Sequence, residues 1–220
     1  WQCIENLIGE SGQDQRDPTL LEGSILQGDS YLEAQLGPNR KGNCKSSICQ
    51  YYFVRLLLAY TFGRDDLAAE MYDKCVEAEL EKKLFARPTI SVYKFYGGLA
   101  ALSMARKEPS NPKWRGIVDA VIPKMETWTA ASAWNCEHKL LFLKAEQLAN
   151  GGDQNGAARS YERAIQLARE HRFVGEEALI AERYSAFLSA AGDMLSAGVQ
   201  HTIAYEAYKR WGALRKCKEM

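Results

Sequence analysis

Cysteine and histidine are the side chains here that best suit nucleophilic or metal chemistry, and both are sparse. The cysteines are Cys3, Cys44, Cys49, Cys75, Cys136 and Cys217; the histidines are His138, His171 and His201. A structural zinc site joins two closely spaced ligand couples. Cys44 and Cys49 make one couple without a second half, and no CxxC occurs, so no metal is expected. A cysteine nucleophile needs its histidine within hydrogen-bond reach. Cys136 and His138 stand two apart, a spacing that a helix sends to different faces. Phosphate chemistry is equally unsupported. Gly151-Gly152-Asp153 lacks the lysine and the preceding strand of a phosphate-binding loop and reads as a turn between helices. Asp65 and Asp66, after Phe62-Gly63-Arg64, are expected as cap and first-turn carboxylates facing a helix N-terminus. The residues therefore assemble no active site, and no cofactor is assigned.

The elements that carry these residues repeat. Ala145, Leu148, Gly151-Gly152-Asp153, Ala157, Tyr161, Ala164, Ile165 and Ala168 recur 40 residues later as Ser185, Leu188, Ala191-Gly192-Asp193, Ala197, His201, Ala204, Tyr205 and Tyr208. An earlier copy, 89 residues upstream, reads Leu56, Ala59, Phe62-Gly63-Arg64, Ala68, Tyr72, Cys75 and Val76. Ala157, Tyr161, Ala164, Ile165 and Ala168 fall on one face of an α-helix, and the Gly-Asp turn before them supplies its cap. His201 stands where the sister copy has Tyr161, so packing is its expected role. Such a helix–turn–helix unit cannot bury its apolar face alone, so copies must stack. The fold class is therefore all-α: seven to nine helices in antiparallel pairs, stacked as a right-handed superhelix, in one domain spanning 1–220.

Between copies, Val92 to Lys107 reads as a helix with small contact residues, entered through Arg87-Pro88-Thr89. Glu108-Pro109-Ser110-Asn111-Pro112 breaks the chain, and Trp114 to Ala131 resumes as helix, kinked or restarted at Pro123. The pattern is faintest over 1–45: Leu20 to Leu36 holds one or two short helices, and Gly37 to Lys45 reads as a mobile loop. The charged runs Glu79 to Lys83 and Arg159 to Arg172 read as solvated helix faces. No segment alternates as a strand does, so no sheet is expected.

Composition narrows the partners. Lys+Arg and Asp+Glu both number 28, which gives no electrostatic reason to expect nucleic acid or an anionic membrane. No apolar run approaches the ~20 residues of a membrane span. The six thiols are expected to be free, as in a reducing cytosol. The chain opens on Trp1 and stops at Lys218-Glu219-Met220 directly after a helical pattern, so both ends are expected to lie within a longer polypeptide.

Several segments resemble one known region. They are Asn135-Cys136-Glu137-His138-Lys139, Glu146, Ala157 to Glu170 with Tyr161, Phe173-Val174, Glu176-Glu177-Ala178-Leu179 and Tyr208-Lys209-Arg210-Trp211-Gly212-Ala213, with Tyr60-Thr61-Phe62-Gly63 upstream. They look like the tetratricopeptide-like (TPR-like) region of large hybrid signalling proteins. In those, a serine/threonine-kinase-like domain and an AAA-type ATPase domain precede the helical region, and a GAF domain and histidine kinase often follow. The resemblance covers most of the chain and is strongest over 135–213. It implies a cytoplasmic scaffold between catalytic modules and carries no catalytic residue onto this sequence. The expected partners are proteins or peptides, neighbouring domains of the parent chain included. In such arrays the first helix of each pair lines the concave surface. The expected contacts there are Gln50, Phe53, Leu57 and Tyr60 from one copy and Lys139, Phe142 and Glu146 from another. A small-molecule or peptide sensor is the alternative reading.

Overall fold

The computed structural model describes residues 2–9, 16–23, 25–36, 45–84 and 89–220. Among them the fold is all-α, with a single isolated bridge, Glu22 to Gln27, as its only β pairing. The chain divides into two compact units, Trp1–Ala100 and Ala101–Met220. The first holds α1 (Gln2–Ile8), α2 (Gly28–Leu36), α3 (Lys45–Thr61), α4 (Asp65–Glu77), α5 (Leu80–Leu84) and the start of α6 (Thr89–Lys107). The second holds the end of α6 and α7 (Pro112–Ala131), α8 (Ala133–Asn150), α9 (Gln154–Glu170), α10 (Val174–Ala190), α11 (Met194–Trp211) and α12 (Leu214–Glu219).

In the second unit consecutive helices from α7 to α12 pack on one another, and turns of two or three residues between α8 and α12 force neighbours antiparallel. The turns share one construction. Gly152, Arg172, Gly192 and Gly212 take left-handed backbone angles, each 20 residues after the last. The next N–H then reaches back to a carbonyl of the preceding helix: Asp153 to Leu148 at 3.0 Å, Phe173 to Ala168 at 2.8 Å, Asp193 to Leu188 at 3.0 Å and Ala213 to Tyr208 at 2.9 Å. Asp153 and Asp193 then cap the following helix, accepting from Gly156 N at 2.9 Å and Ser196 N at 3.0 Å. The 40-residue sequence period is thus two near-equal halves. Its middle turn escapes a sequence search because Arg172 stands where the other three have glycine.

The predicted stripe of α9 is buried throughout. In the first unit α3 packs on α4 through the same turn: Gly63 is left-handed, and Arg64 N donates to Ala59 O at 2.8 Å. The core there is aromatic. Phe53 meets Tyr93 edge-on at 5.9 Å, Tyr60 meets Tyr96 at 6.1 Å, and Tyr72 stacks on Tyr93 at 5.6 Å. Of the clustered aromatics, Tyr51, Phe53, Tyr60, Tyr93, Phe95 and Tyr96 are buried and Tyr52 is half-buried.

Several expectations need correcting. Twelve helices stand among the described residues, because α1, α5 and α12, at seven, five and six residues, are too short to show a period. α7 runs through Pro123 as one helix, so the chain does not restart there. Pro123 donates no hydrogen bond to the Asp119 carbonyl one turn back, and both residues are exposed to solvent. Glu79 lies in a turn with φ of 57° instead of on a helix face. The loop expected at Gly37 to Lys45 falls outside the described residues except for Lys45, which opens α3, as do Arg87 and Pro88 ahead of α6.

Gly97 marks a close approach of α6 to α4 in the first unit. A Cβ there would lie 2.3 Å from Cε2 of Tyr72, a ring held against Tyr93. Alanine gains about 1 kcal/mol of helix propensity over glycine, and overpacking costs about 1–3 kcal/mol. Gly97→Ala is therefore expected to lower stability by about 1 kcal/mol net. Gly116→Ala on α7, where a Cβ would meet nothing within 4 Å, is expected to gain up to about 1 kcal/mol. Thermal unfolding of both variants checks the signs, and a gain in both would refute the close packing.

Candidate functional site

The cysteine–histidine constellation is chemically quiet. Cys136 is buried, and that burial raises its thiol pKa above the ordinary range even though Lys139 pulls the other way. His138 is fully buried and stacks on Phe173 at 4.4 Å. Burial, then Lys139 and His171, push its pKa from 6.5 down to about 3. Lys139 Nζ lies 3.0 Å from His138 Nε2. An ammonium only donates, so Nε2 accepts and the ring proton sits on Nδ1, a buried atom without a hydrogen-bond partner. Neither thiolate nor imidazolium forms near neutral pH. His171 stacks on Trp134 at 3.9 Å. His201, expected in packing, is exposed. Tyr161 is covered by Tyr184 and Phe187 of α10, whereas the six-residue α12 brings Lys216 over Tyr208 and leaves His201 bare. No cluster of metal-ligating side chains occurs among the described residues.

Most of the expected peptide contacts are structural. Phe53, Tyr60 and Phe142 are buried in the core, Leu57 is half-buried, and Gln50 alone is exposed. Lys139 is buried too, with its ammonium shared among His138, Asn135 O at 3.0 Å, Glu176 at 3.3 Å and the Phe173 ring at 4.5 Å. Glu146 is 1% exposed and forms a hub. Arg106 of α6 reaches Oε2 at 2.8 Å, Arg183 of α10 reaches Oε1 at 3.2 Å, and the Tyr161 hydroxyl of α9 donates to Oε1 at 2.7 Å. Burial alone would raise its pKa. Arg183 and Arg106, with the hydrogen bonds from Arg183 and Tyr161, outweigh that and hold the carboxyl below its ordinary 4.5. Glu177 of α10 repeats the device, held by Arg169 of α9 at 2.8 Å and by Arg210 of α11. Each buried carboxylate ties alternate helices together. These residues are unavailable to a peptide because the fold already uses them.

Two surface features remain, one on each unit. On the first, a cleft of about 410 Å³ opens between α1, the 21–26 segment, α2 and α3, with Gln50 at its rim. On the second, α11 exposes Met194, Leu195 and Val199, at 67%, 84% and 54%. The same three positions one repeat earlier, Gln154, Asn155 and Arg159 on α9, are also exposed but polar. The fold thus leaves these positions in water in both copies, and only α11 fills them with large apolar side chains. A search on charge or catalytic residues passes over this row; comparing exposed positions between copies finds it. No helix among the described residues is long and apolar enough to cross a membrane. Comparison with protein-family models, with curated proteins and with solved structures finds no match to this chain.

Proposed function

We propose that this chain is a cytoplasmic, TPR-like interaction scaffold that holds other modules of a multidomain kinase/ATPase-type signalling protein. The observation that carries this reading is the apolar row Met194, Leu195 and Val199, set on positions that α9 fills with Gln154, Asn155 and Arg159. Exposed apolar patches of this kind mark protein contacts. The resemblance over 135–213 supplies the class of partner, a kinase-like or ATPase-type module. The charge-neutral composition speaks for a protein contact over a nucleic-acid one.

The test exchanges the row for its own counterpart. Met194→Gln, Leu195→Asn and Val199→Arg together place on α11 what α9 already tolerates, so the thermal unfolding midpoint is expected to stay within a few degrees. Titration calorimetry against purified kinase-like and ATPase-type modules is expected to show binding to the wild type and at least tenfold weaker binding to the triple variant. Equal affinity of the two proteins, or no binding of either module, would sink the reading.

A second reading, a ligand-sensing regulatory domain, draws support from the cleft on the first unit.

A further inference from the structure

The cleft of the first unit has built walls. Gln2 of α1 is 4% exposed, and its amide is engaged on both ends. Oε1 accepts from Ile25 N at 3.2 Å and Leu26 N at 3.1 Å, while Nε2 donates to Asn6 Oδ1 at 3.0 Å. Asn6, also buried, donates from Nδ2 to Pro18 O at 2.9 Å and to Leu20 O. Two buried amides therefore fix α1 to the 18–26 segment by main-chain hydrogen bonds. The opposite wall is α3. Leu21, buried, packs in one cluster with Tyr51, Leu58 and Phe62, and Leu26, Tyr31 and Val54 lean on it. A cavity of about 410 Å³ between walls held in this way lies in the range of small-molecule sites.

The lining defines the chemistry of an occupant. Every described lining residue is uncharged: four aliphatic side chains, Tyr31 and Tyr51, the Cys3 thiol, the Gln2 amide already engaged, and the Ser47 hydroxyl and Gln50 amide. An ionised group entering the cleft would lose hydration and meet no counter-charge in the lining, a loss that recognition of an ion must avoid. Arg55 behind it is already engaged by the Tyr51 ring at 5.9 Å and by Thr19 O at 3.3 Å. Tyr31 and Tyr51 stack at 6.2 Å with their planes 28° apart, and Tyr52 meets Tyr51 edge-on at 5.7 Å. That arrangement extends naturally by one more ring. Gln50 offers both a donor and an acceptor to a polar edge.

We infer that this cleft is a binding site for an uncharged, planar aromatic small molecule, seated against Tyr31 and Tyr51 with its polar edge toward Ser47 and Gln50. The site gives the sensor reading its ligand class and is independent of the α11 row, since it lies wholly within the first unit. Occupancy ties α1 more firmly to α3 and so stabilises that unit by mass action.

Two dyes sharing one aromatic frame test this. N-phenyl-1-naphthylamine is neutral, and 8-anilinonaphthalene-1-sulfonate carries a sulfonate. Titrated into the whole chain and followed by fluorescence, the neutral dye is expected to saturate at one equivalent and to bind at least tenfold more tightly than the sulfonate. Val54→Trp, which fills the cleft, is expected to weaken the neutral dye at least tenfold. The α11 triple variant is expected to bind it as the wild type does. A second readout needs no variant: the neutral dye should slow alkylation of Cys3 by N-ethylmaleimide, read by mass spectrometry of its peptide, without slowing that of Cys217. Unchanged Cys3 alkylation at saturating dye would overturn the site, and equal affinity for the two dyes would overturn its selectivity for neutral ligands. Loss of dye binding in the α11 variant alone would move the binding to the other unit and refute the inference.

Discussion

Arg183→Met is expected to destabilise the 101–220 unit by about 3 kcal/mol, the lower end of the range for breaking a buried ion pair. Glu146 has no route to water, and Arg183 is the partner that reaches both of its carboxylate oxygens. Arg106 stays in place but is about half exposed, so its attraction is weakened by solvent. Glu146→Gln in the Arg183→Met background is expected to recover part of the loss, because the amide keeps an acceptor for Tyr161 without a buried charge. The pH dependence runs in a defined direction. In the wild type the carboxyl is held below 4.5, so its contribution is present above that value and is lost as the pH falls through the folded-state value. Without Arg183 the folded-state pKa rises, so the gap between variant and wild type narrows as the pH falls from the variant's raised value through the wild type's lowered one. Urea titrations followed by tryptophan fluorescence report mainly on this unit, since four of the five tryptophans, Trp114, Trp128, Trp134 and Trp211, lie in it and Trp1 belongs to the other. A gap under 1 kcal/mol, or one that widens in acid, would show that Glu146 does not depend on Arg183.

The stacked helices of 133–213 were legible because their signals are local. Small residues every three or four positions and a Gly-Asp turn act within one turn of the chain, and they fix the ends of α8, α9 and α11. The expected contact residues that prove buried, Phe53, Tyr60, Lys139, Phe142 and Glu146, were misplaced for two physical reasons. Apart from Gln50 and Arg55, the α3 segment from Ile48 to Tyr60 is apolar on every side, so its period cannot say which side faces water. Lys139 and Glu146 look like surface residues by type, yet each is buried against partners 37 to 40 residues away or on another helix. A pairing at that range leaves no local mark. The α1 clamp was hidden for the same kind of reason. Its buried positions are Gln2 and Asn6, which hydropathy counts as exposed, and only their main-chain partners at 18–26 reveal their role.

The repeat copies also inform each other where a single copy is silent. Glu146 and Glu177 do the same work one helix pair apart, with arginines drawn from α6 and α10 in the first case and from α9 and α11 in the second. Apolar stacking alone lets neighbouring helices slide along their ridges. A buried carboxylate held from two sides fixes their register, a use of buried charge that favours specificity over raw stability. An array that presents a fixed apolar row on α11 needs that register, and Arg210 of α11, one of the two arginines on Glu177, holds α11 in place on α10.

Mild acid is expected to weaken the same unit through one residue. His138 is buried, neutral and hydrogen-bonded through Nε2, with Lys139 beside it, Glu176 on the far side of that ammonium, and His171 nearby. Its folded-state pKa is about 3 against an ordinary 6.5, so the unfolded chain takes up the proton first. The stability tied to the neutral ring is therefore full above 6.5 and falls steadily as the pH drops toward 3. At 1.36 kcal/mol per pH unit, the loss reaches about 2 kcal/mol at pH 5. Glu176 does not offset the charged ring, because its carboxylate already engages Lys139 at 3.3 Å. His138→Phe keeps a ring to stack on Phe173 and removes the titration. The variant's own stability at neutral pH is immaterial, since the readout is the slope. Urea titrations between pH 7 and pH 5 are expected to show a fall of about 2 kcal/mol in the wild type that is absent from His138→Phe. Parallel slopes in the two proteins would mean that His138 protonates without resistance and is not sealed between α8 and Phe173.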